Sequence, residues 1–375
     1  MKHYVGMDLH SNNTYIGAID ENDQRVFKGR FPNQLPVILE VLEAYHETIT
    51  GIVVESTFNW YWLVDGLMDA GYKVHLAHPG AITQYNGLKK TDDKSDAFFL
   101  ALLLKLGILP EGTIFAKEDR QIRDLMRKRL MLVRNKTQHL LIFKSIVSRN
   151  LGENMNAQLI KKLKPEDVES MFDNKHLVLS AQSNISAMIY LEEQIKILEK
   201  QILKDSENSS AYQNLITVPG IGKILGLTIA LETGNINRFK DVGNYVSYCR
   251  CVRSERFSNQ KKKGNNNRKN GNKFLSWAFI EVAHKTRRYL PQADAFYKKK
   301  SIKKNKIVAI KALSHKIARA CFHMMKNEEP FNVERVFGKT TKVLNNGCDS
   351  KPSRGLVKEP LAPIGQTVAT NSLNR

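Results

Sequence analysis

The chain has 375 residues, with 58 lysines and arginines against 37 aspartates and glutamates, a formal charge of +21 and a pI near 9.7. At 42% hydrophobic it has room for two or three domains with buried cores, which excludes disorder throughout. Four cysteines without a C-x-x-C pair exclude a disulfide framework, and the lack of any apolar run near the ~18 residues of a span excludes a membrane helix.

A chain this basic is built to meet a polyanion, and nucleic acid is favoured over a membrane. The start, MKHYVGMDLH, meets an aspartate at once and reads as having no secretory leader, so a reduced, cytoplasmic setting is expected. Cys249 and Cys251 fall on a strand-like run and read as packed thiols rather than a zinc site.

In chain order, Tyr4 to Asp8 predicts a buried strand, Thr14 to Ile19 a second and Arg25 to Arg30 a third, a meander whose first strand ends in an acid. Pro36 to Tyr45 has helical apolar spacing. Gly51 to Glu55 is a β-branched strand that again ends in an acid. Trp60 to Ala70 predicts a helix closed by Gly71, and Tyr72 to Ala77 a further strand. This alternation predicts a mixed α/β sheet. The next helix starts at Thr91, with the acid-rich turn TDDKSD ahead of AFFLALLLKLGIL.

A long basic amphipathic helix is predicted from Asp119 to about Asn150, and a second from about Leu179 to Leu203. The seam of the second is Met188, Leu191, Ile195, Leu198 and Ile202. An antiparallel pair within one monomer and a dimerising coiled coil both fit this pattern. From Leu215 onward come VPGIG, an apolar helix to Glu232, and helices at about Asp241 to Tyr248, Phe274 to Arg288 and Ile307 to Met325. A polar tail expected to be disordered begins at Asn327.

Three constellations carry chemistry. Asp8 and Glu55 sit at strand ends, and Asp93 and Asp96 share one helical face. Carboxylates gathered in a positive field are what a magnesium-dependent phosphodiester enzyme needs, with two ions ~3.5–4 Å apart clamping the attacking and leaving oxygens. Asp92 competes with Asp93, which the spacing to Asp96 favours. In this order the acids resemble the cluster of ribonuclease-H-like nucleases, RuvC-like ones in particular. The second constellation is VPGIG, whose Gly220 and Gly222 would let backbone amides approach a phosphate as in a helix-hairpin-helix module; a tight turn between helices fits equally. The third is RFSNQKKKGNNNRKNGNK. There Lys261, Lys262, Lys263, Arg268, Lys269 and Lys273 stand among Gly and Asn in a pliant loop suited to phosphate contact, with Ser258 as a candidate nucleophile.

YVGMDLHSNNTYIGAID, VVEST around Glu55, KTDDKSDAFFLALLL, and LITVPGIGKILGLTIALETGNINRF followed by YCRCVRSERFSNQKKKGNNNRKNGNKFLSWAF are similar to the DEDD transposases of bacterial insertion sequences. The group is insertion sequence 110, and the likeness is greatest to its 1111 subgroup, covering the chain to about residue 325. The resemblance implies a RuvC-like domain binding Mg2+ (two ions, with Mn2+ able to substitute) through Asp8, Glu55, Asp93 and Asp96. It implies a serine nucleophile at Ser258, where Phe257 replaces a second serine common in relatives, and Asn259 and Gln260 stand where glycine is common. It further implies strand exchange through a covalent protein–DNA intermediate, DNA chosen by a structured noncoding guide RNA, a homo-oligomer (dimer or tetramer), and a bacterial, nucleoid-associated location.

The expected fold is thus α/β plus α. An RNase H/RuvC-like domain spans 1–112, a helical coiled-coil linker 113–208, a mainly helical C-terminal domain with a helix-hairpin-helix-like element 209–326, and a polar tail 327–375. Two other function classes stay open: a RuvC-like hydrolase using water, and a non-catalytic nucleic-acid-binding protein.

Overall fold

The computed structural model describes residues 1–82, 93–206, 209–264 and 270–338. The N-terminal part is a five-stranded sheet built from β1 (His3–Leu9), β2 (Asn13–Asp20), β3 (Arg25–Pro32), β4 (Ile49–Glu55) and β5 (Val74–Ala77). Its order is β3-β2-β1-β4-β5, with β1, β2 and β3 antiparallel and β4 and β5 parallel to β1. This is an RNase H-like α/β domain, and the predicted strand and helix order is what forms.

Period-two alternation sorts the side chains of the sheet. Val5, Met7, Ile52 and Val54 face α1 (Leu35–Glu43) and α2 (Tyr61–Asp69), which bury Ile38, Leu42, Leu63 and Leu67 there. The opposite face receives α3 (Asp93–Lys105), where Val53 packs with Leu100 and Leu103. Gly6 lets α3 lie close on β1, since a Cβ at Gly6 would stand 1.9 Å from the Ala97 carbonyl oxygen and 2.9 Å from the Ala101 nitrogen.

Two long helices follow. The 35-residue α4 (Lys117–Leu151) ends at left-handed Gly152, and α6 (Lys175–Ser206) packs back along it. Arg129 pairs with Glu199 at 2.5 Å, Lys136 with Glu192, and His139 with Asn184 at 3.0 Å. Partner numbers fall as α4 numbers rise, so the pair is antiparallel within one chain. Leu140, Phe143 and Val147 meet Ile185 and Met188 in its core. The short helix α5 (Ala157–Ile160) lies in the connection between them.

The C-terminal part is helical: α7 (Ser210–Leu215), α8 (Lys223–Thr233), α9 (Val242–Tyr248), α10 (Lys273–Tyr289), α11 (Pro291–Lys303), α12 (Lys306–Asn327) and α13 (Val333–Phe337) around one apolar core. A two-stranded hairpin, β6 (Arg256–Ser258) and β7 (Lys261–Gly264), lies between α9 and α10.

Four sequence expectations need correction. Helix α11 was hidden because its apolar stripe is thin, with only Ala293 and Tyr297 buried, although Pro291 suits a first helical turn. The polar segment after 327 carries α13, and Phe331, Val333 and Phe337 pack on the C-terminal core; residues 339–375 lie outside the described residues. The run around Cys249 and Cys251 is not a strand but a helix end and a turn, with Arg250 at φ 54°. Both thiols are buried and burial pushes them up, Cys251 to about 12. The segment read as a wholly pliant loop is a hairpin over 256–264. Its turn residues Asn259 (φ 47°) and Gln260 (φ 59°) are both left-handed, as a two-residue hairpin turn requires.

Candidate active site

Strands β1 and β4 run parallel in a register that pairs Met7 with Val54, so Asp8 and Glu55 follow together at their carboxyl ends. Both lie on the α3 side, since their face-mates Gly6 and Val53 meet that helix. The carbonyl of Ala97 rests over Gly6, and Asp96 immediately precedes it. Sequence alternation and one close helix–strand contact therefore bring three carboxylates to the strand ends, where open α/β sheets place their sites.

Their mutual effect is marked at Glu55, whose pKa rises from 4.5 to about 7. Burial is the largest cause, the charges of Asp8 and Asp96 add to it, and Asp8 also hydrogen-bonds the Glu55 carboxyl; His10 pulls the other way. The imidazole of His10 lies 3.2 Å from the buried Asp8 carboxylate. The backbone carbonyl of His10 accepts from Asn33 at 2.9 Å and from Asn59 at 3.0 Å, fixing the turn that follows Asp8. Sequence reasoning passed over His10, Asn33 and Asn59 because isolated polar residues in turns carry no pattern.

Asp93 is the first residue of α3, its side chain lies outside the described residues, and so does Asp92. Among the described residues no three His, Cys, Asp or Glu side chains form a ready-made metal shell. The donor set nevertheless fits a hard divalent cation: oxygen ligands only, with Glu55 sharing a hydrogen bond with Asp8 in the place a cation would neutralise. Gly6→Ala tests the contact that brings Asp96 in. It should push α3 off β1, cost about 1–3 kcal/mol and weaken divalent-ion binding by titration calorimetry. Unchanged stability and ion binding would show that α3 is free to shift.

Ser258 stands exposed on β6, opposite Lys261. It is not among the groups acting on Glu55. Lys261, Lys263 and Lys273 are exposed; the side chain of Lys262, and Arg268 and Lys269 entirely, lie outside the described residues. The two glycines of VPGIG part company. Gly220 (φ 102°) is needed for packing, because a Cβ there would stand 2.5 Å from the Thr286 nitrogen of α10. On its Cβ side Gly220 thus meets protein backbone, so the turn reading has a packing reason of its own. Gly222, the cap of α8, is exposed with open space around it.

A sheet of this order with acids at its strand ends defines a ribonuclease-H-like domain, here joined to a helical C-terminal part. Residues 5–148 match a DEDD family of the IS110 type, described as Transposase, and residues 212–298 match the Transposase IS116/IS110/IS902 family. Together the two matches span more than half of the chain, which belongs to the IS110 family of insertion-sequence DEDD transposases. A curated relative, the transposase for insertion sequence element IS1533 from Leptospira borgpetersenii, is 25% identical over 270 residues, covering 65% of this chain and 72% of the relative. Among the described residues no helix is long and apolar enough to cross a membrane.

Proposed function

We propose that this transposase exchanges DNA strands with Ser258 as nucleophile and Asp8, Glu55, Asp93 and Asp96 as the ligands of Mg2+ or Mn2+. The observation that supports the reading is the convergence of Asp8, Glu55 and Asp96 at the carboxyl ends of β1 and β4, which also pushes Glu55 up to about 7. When bound, the cations would neutralise charge on the scissile phosphate and the leaving oxygen. The Ser258 oxygen attacks phosphorus and gives its proton to water. A serine–phosphate bond forms, the bond to the 3′ oxygen breaks, and that oxygen takes a proton from water to become a 3′-hydroxyl. A 3′-hydroxyl of the partner strand then attacks the serine-linked phosphate and releases Ser258, so no external energy source is needed.

The cations of β7 favour the serine alkoxide and hold the phosphate. Asn33 and Asn59 keep the turn after Asp8 in place. The resemblance in sequence also supports a structured noncoding guide RNA, and a homo-oligomer in which the hairpin of one copy can serve the acids of another.

The test is retention of labelled DNA on the protein in a denaturing gel, before and after protease. Wild type should give a protease-sensitive adduct and Ser258→Ala none, while DNA binding persists. An adduct that survives Ser258→Ala would move the nucleophile to another side chain. Strand cleavage that needs the acids but not Ser258 would favour hydrolysis by water.

A further inference from the structure

We propose that the cleft lined by α12, α13 and the segment 247–255 is a channel for the DNA strand that runs to Ser258; this rests on the serine reading above. The cleft holds about 1670 Å³, well beyond the ~300–1,000 Å³ of small-molecule pockets. Its long wall is one face of α12, where Lys311, His315, Arg319 and His323 recur every fourth residue. Each step advances about 6 Å along the helix, a spacing that the phosphates of an extended strand can follow.

Among the described lining residues the charge of the cleft is net positive. The acids among them, Glu329 and Glu255, are already paired, with Arg335 at 2.6 Å and Arg253 at 3.7 Å. Lys311 and Arg319 are exposed and have no acidic partner among the described residues. Phe296 and Phe331 also line the cleft and offer aromatic surface to bases, as single-strand channels do. Burial and the nearby Arg319 hold the pKa of His315 below its ordinary value.

Continuity selects DNA over RNA. Arg253, Ser254 and Glu255 line the cleft, β6 begins at the next residue, and Ser258 closes that strand. A strand that leaves the cleft past these residues meets the hairpin that, in the serine reading, receives the scissile phosphate. Asn270 of the predicted basic segment lines the cleft, whereas Lys261, Lys263 and Lys273 do not, so the cations of the α12 wall are distinct from these lysines.

The experiment measures binding of the full chain to a single-stranded DNA of an element end, and to RNA of the same sequence, across a salt series. Lys311→Gln with Arg319→Gln removes two phosphate contacts. The log–log salt slope for DNA should fall by about 1.4, and affinity near physiological salt by about tenfold. Lys311→Arg with Arg319→Lys should restore both, and thermal melting should be unchanged because both side chains are exposed. In parallel, 4-thiothymidine placed along the strand should crosslink to peptides of α11 to α13 only from positions on one side of the scissile phosphate. An unchanged DNA slope, a loss confined to RNA, or crosslinks falling elsewhere would each overturn the channel. Ser258→Ala should bind and crosslink like wild type. If the adduct test fails while these results hold, the channel stands and only the nucleophile is lost.

Discussion

Asp8→Asn, Glu55→Gln and Asp96→Asn are each expected to lower strand cleavage about a thousandfold or more while leaving the chain folded. Loss of a carboxylate from such a site forfeits several kcal/mol of transition-state stabilisation, and each ~1.4 kcal/mol is tenfold. Stability should move the other way at Glu55, which titrates near 7 in the folded chain against an ordinary value of 4.5. The folded form binds the proton more tightly, so the proton-linked stability is full below pH 4.5 and is lost as pH rises through 7. Glu55→Gln keeps the neutral form at every pH. It should melt like wild type at pH 4 and higher at pH 8, by on the order of 1 kcal/mol after solvent screening. Melting curves at the two pH values and cleavage assays in magnesium check this. Full activity in any of the three variants would remove that acid from the site.

Much of this site was legible because two periodicities meet there. Alternation along YVGMD and GIVVE fixes which face Asp8 and Glu55 join, and the helical reading of the run after Thr91 carries Asp96 to the same face. The sheet could not be assembled without that order. What was not legible depends on packing between distant segments. A G-x-G turn gives no hint that α10 will cross Gly220 at backbone distance. The α12 row of Lys311, His315, Arg319 and His323 was readable at i, i+4 spacing, but its meaning needed the cleft built by α13. That helix itself fell inside a segment whose composition reads as polar tail.

The second large effect concerns the foot of the serine-bearing segment. Arg127 of α4 makes a two-point contact with Glu232 of α8, at 2.6 and 2.8 Å, and the Glu232 carboxylate is buried. Asn272 donates to the same carboxylate at 2.7 Å while its own carbonyl oxygen caps α10. Arg250 closes the segment from the other side by donating to the carbonyls of Asn270 and Gly271. Burial works against the charge on Arg127, but Glu232 outweighs it and raises the guanidinium's pKa. Meanwhile Arg120, near the start of α4, pairs with Asp65 on the sheet side. One helix thus ties the acid-bearing domain to the base of the Ser258 hairpin. Arg127→Ala would strand a buried carboxylate and should cost about 3–5 kcal/mol in urea unfolding of the full chain. Arg127→Met combined with Glu232→Leu should recover most of that loss, because a matched apolar pair leaves no orphan charge. Amide exchange in 250–272 should accelerate in the single variant and return in the double. A single variant with unchanged midpoint and exchange would mean that the carboxylate is satisfied without α4, and that the two halves of the transposase are held together elsewhere.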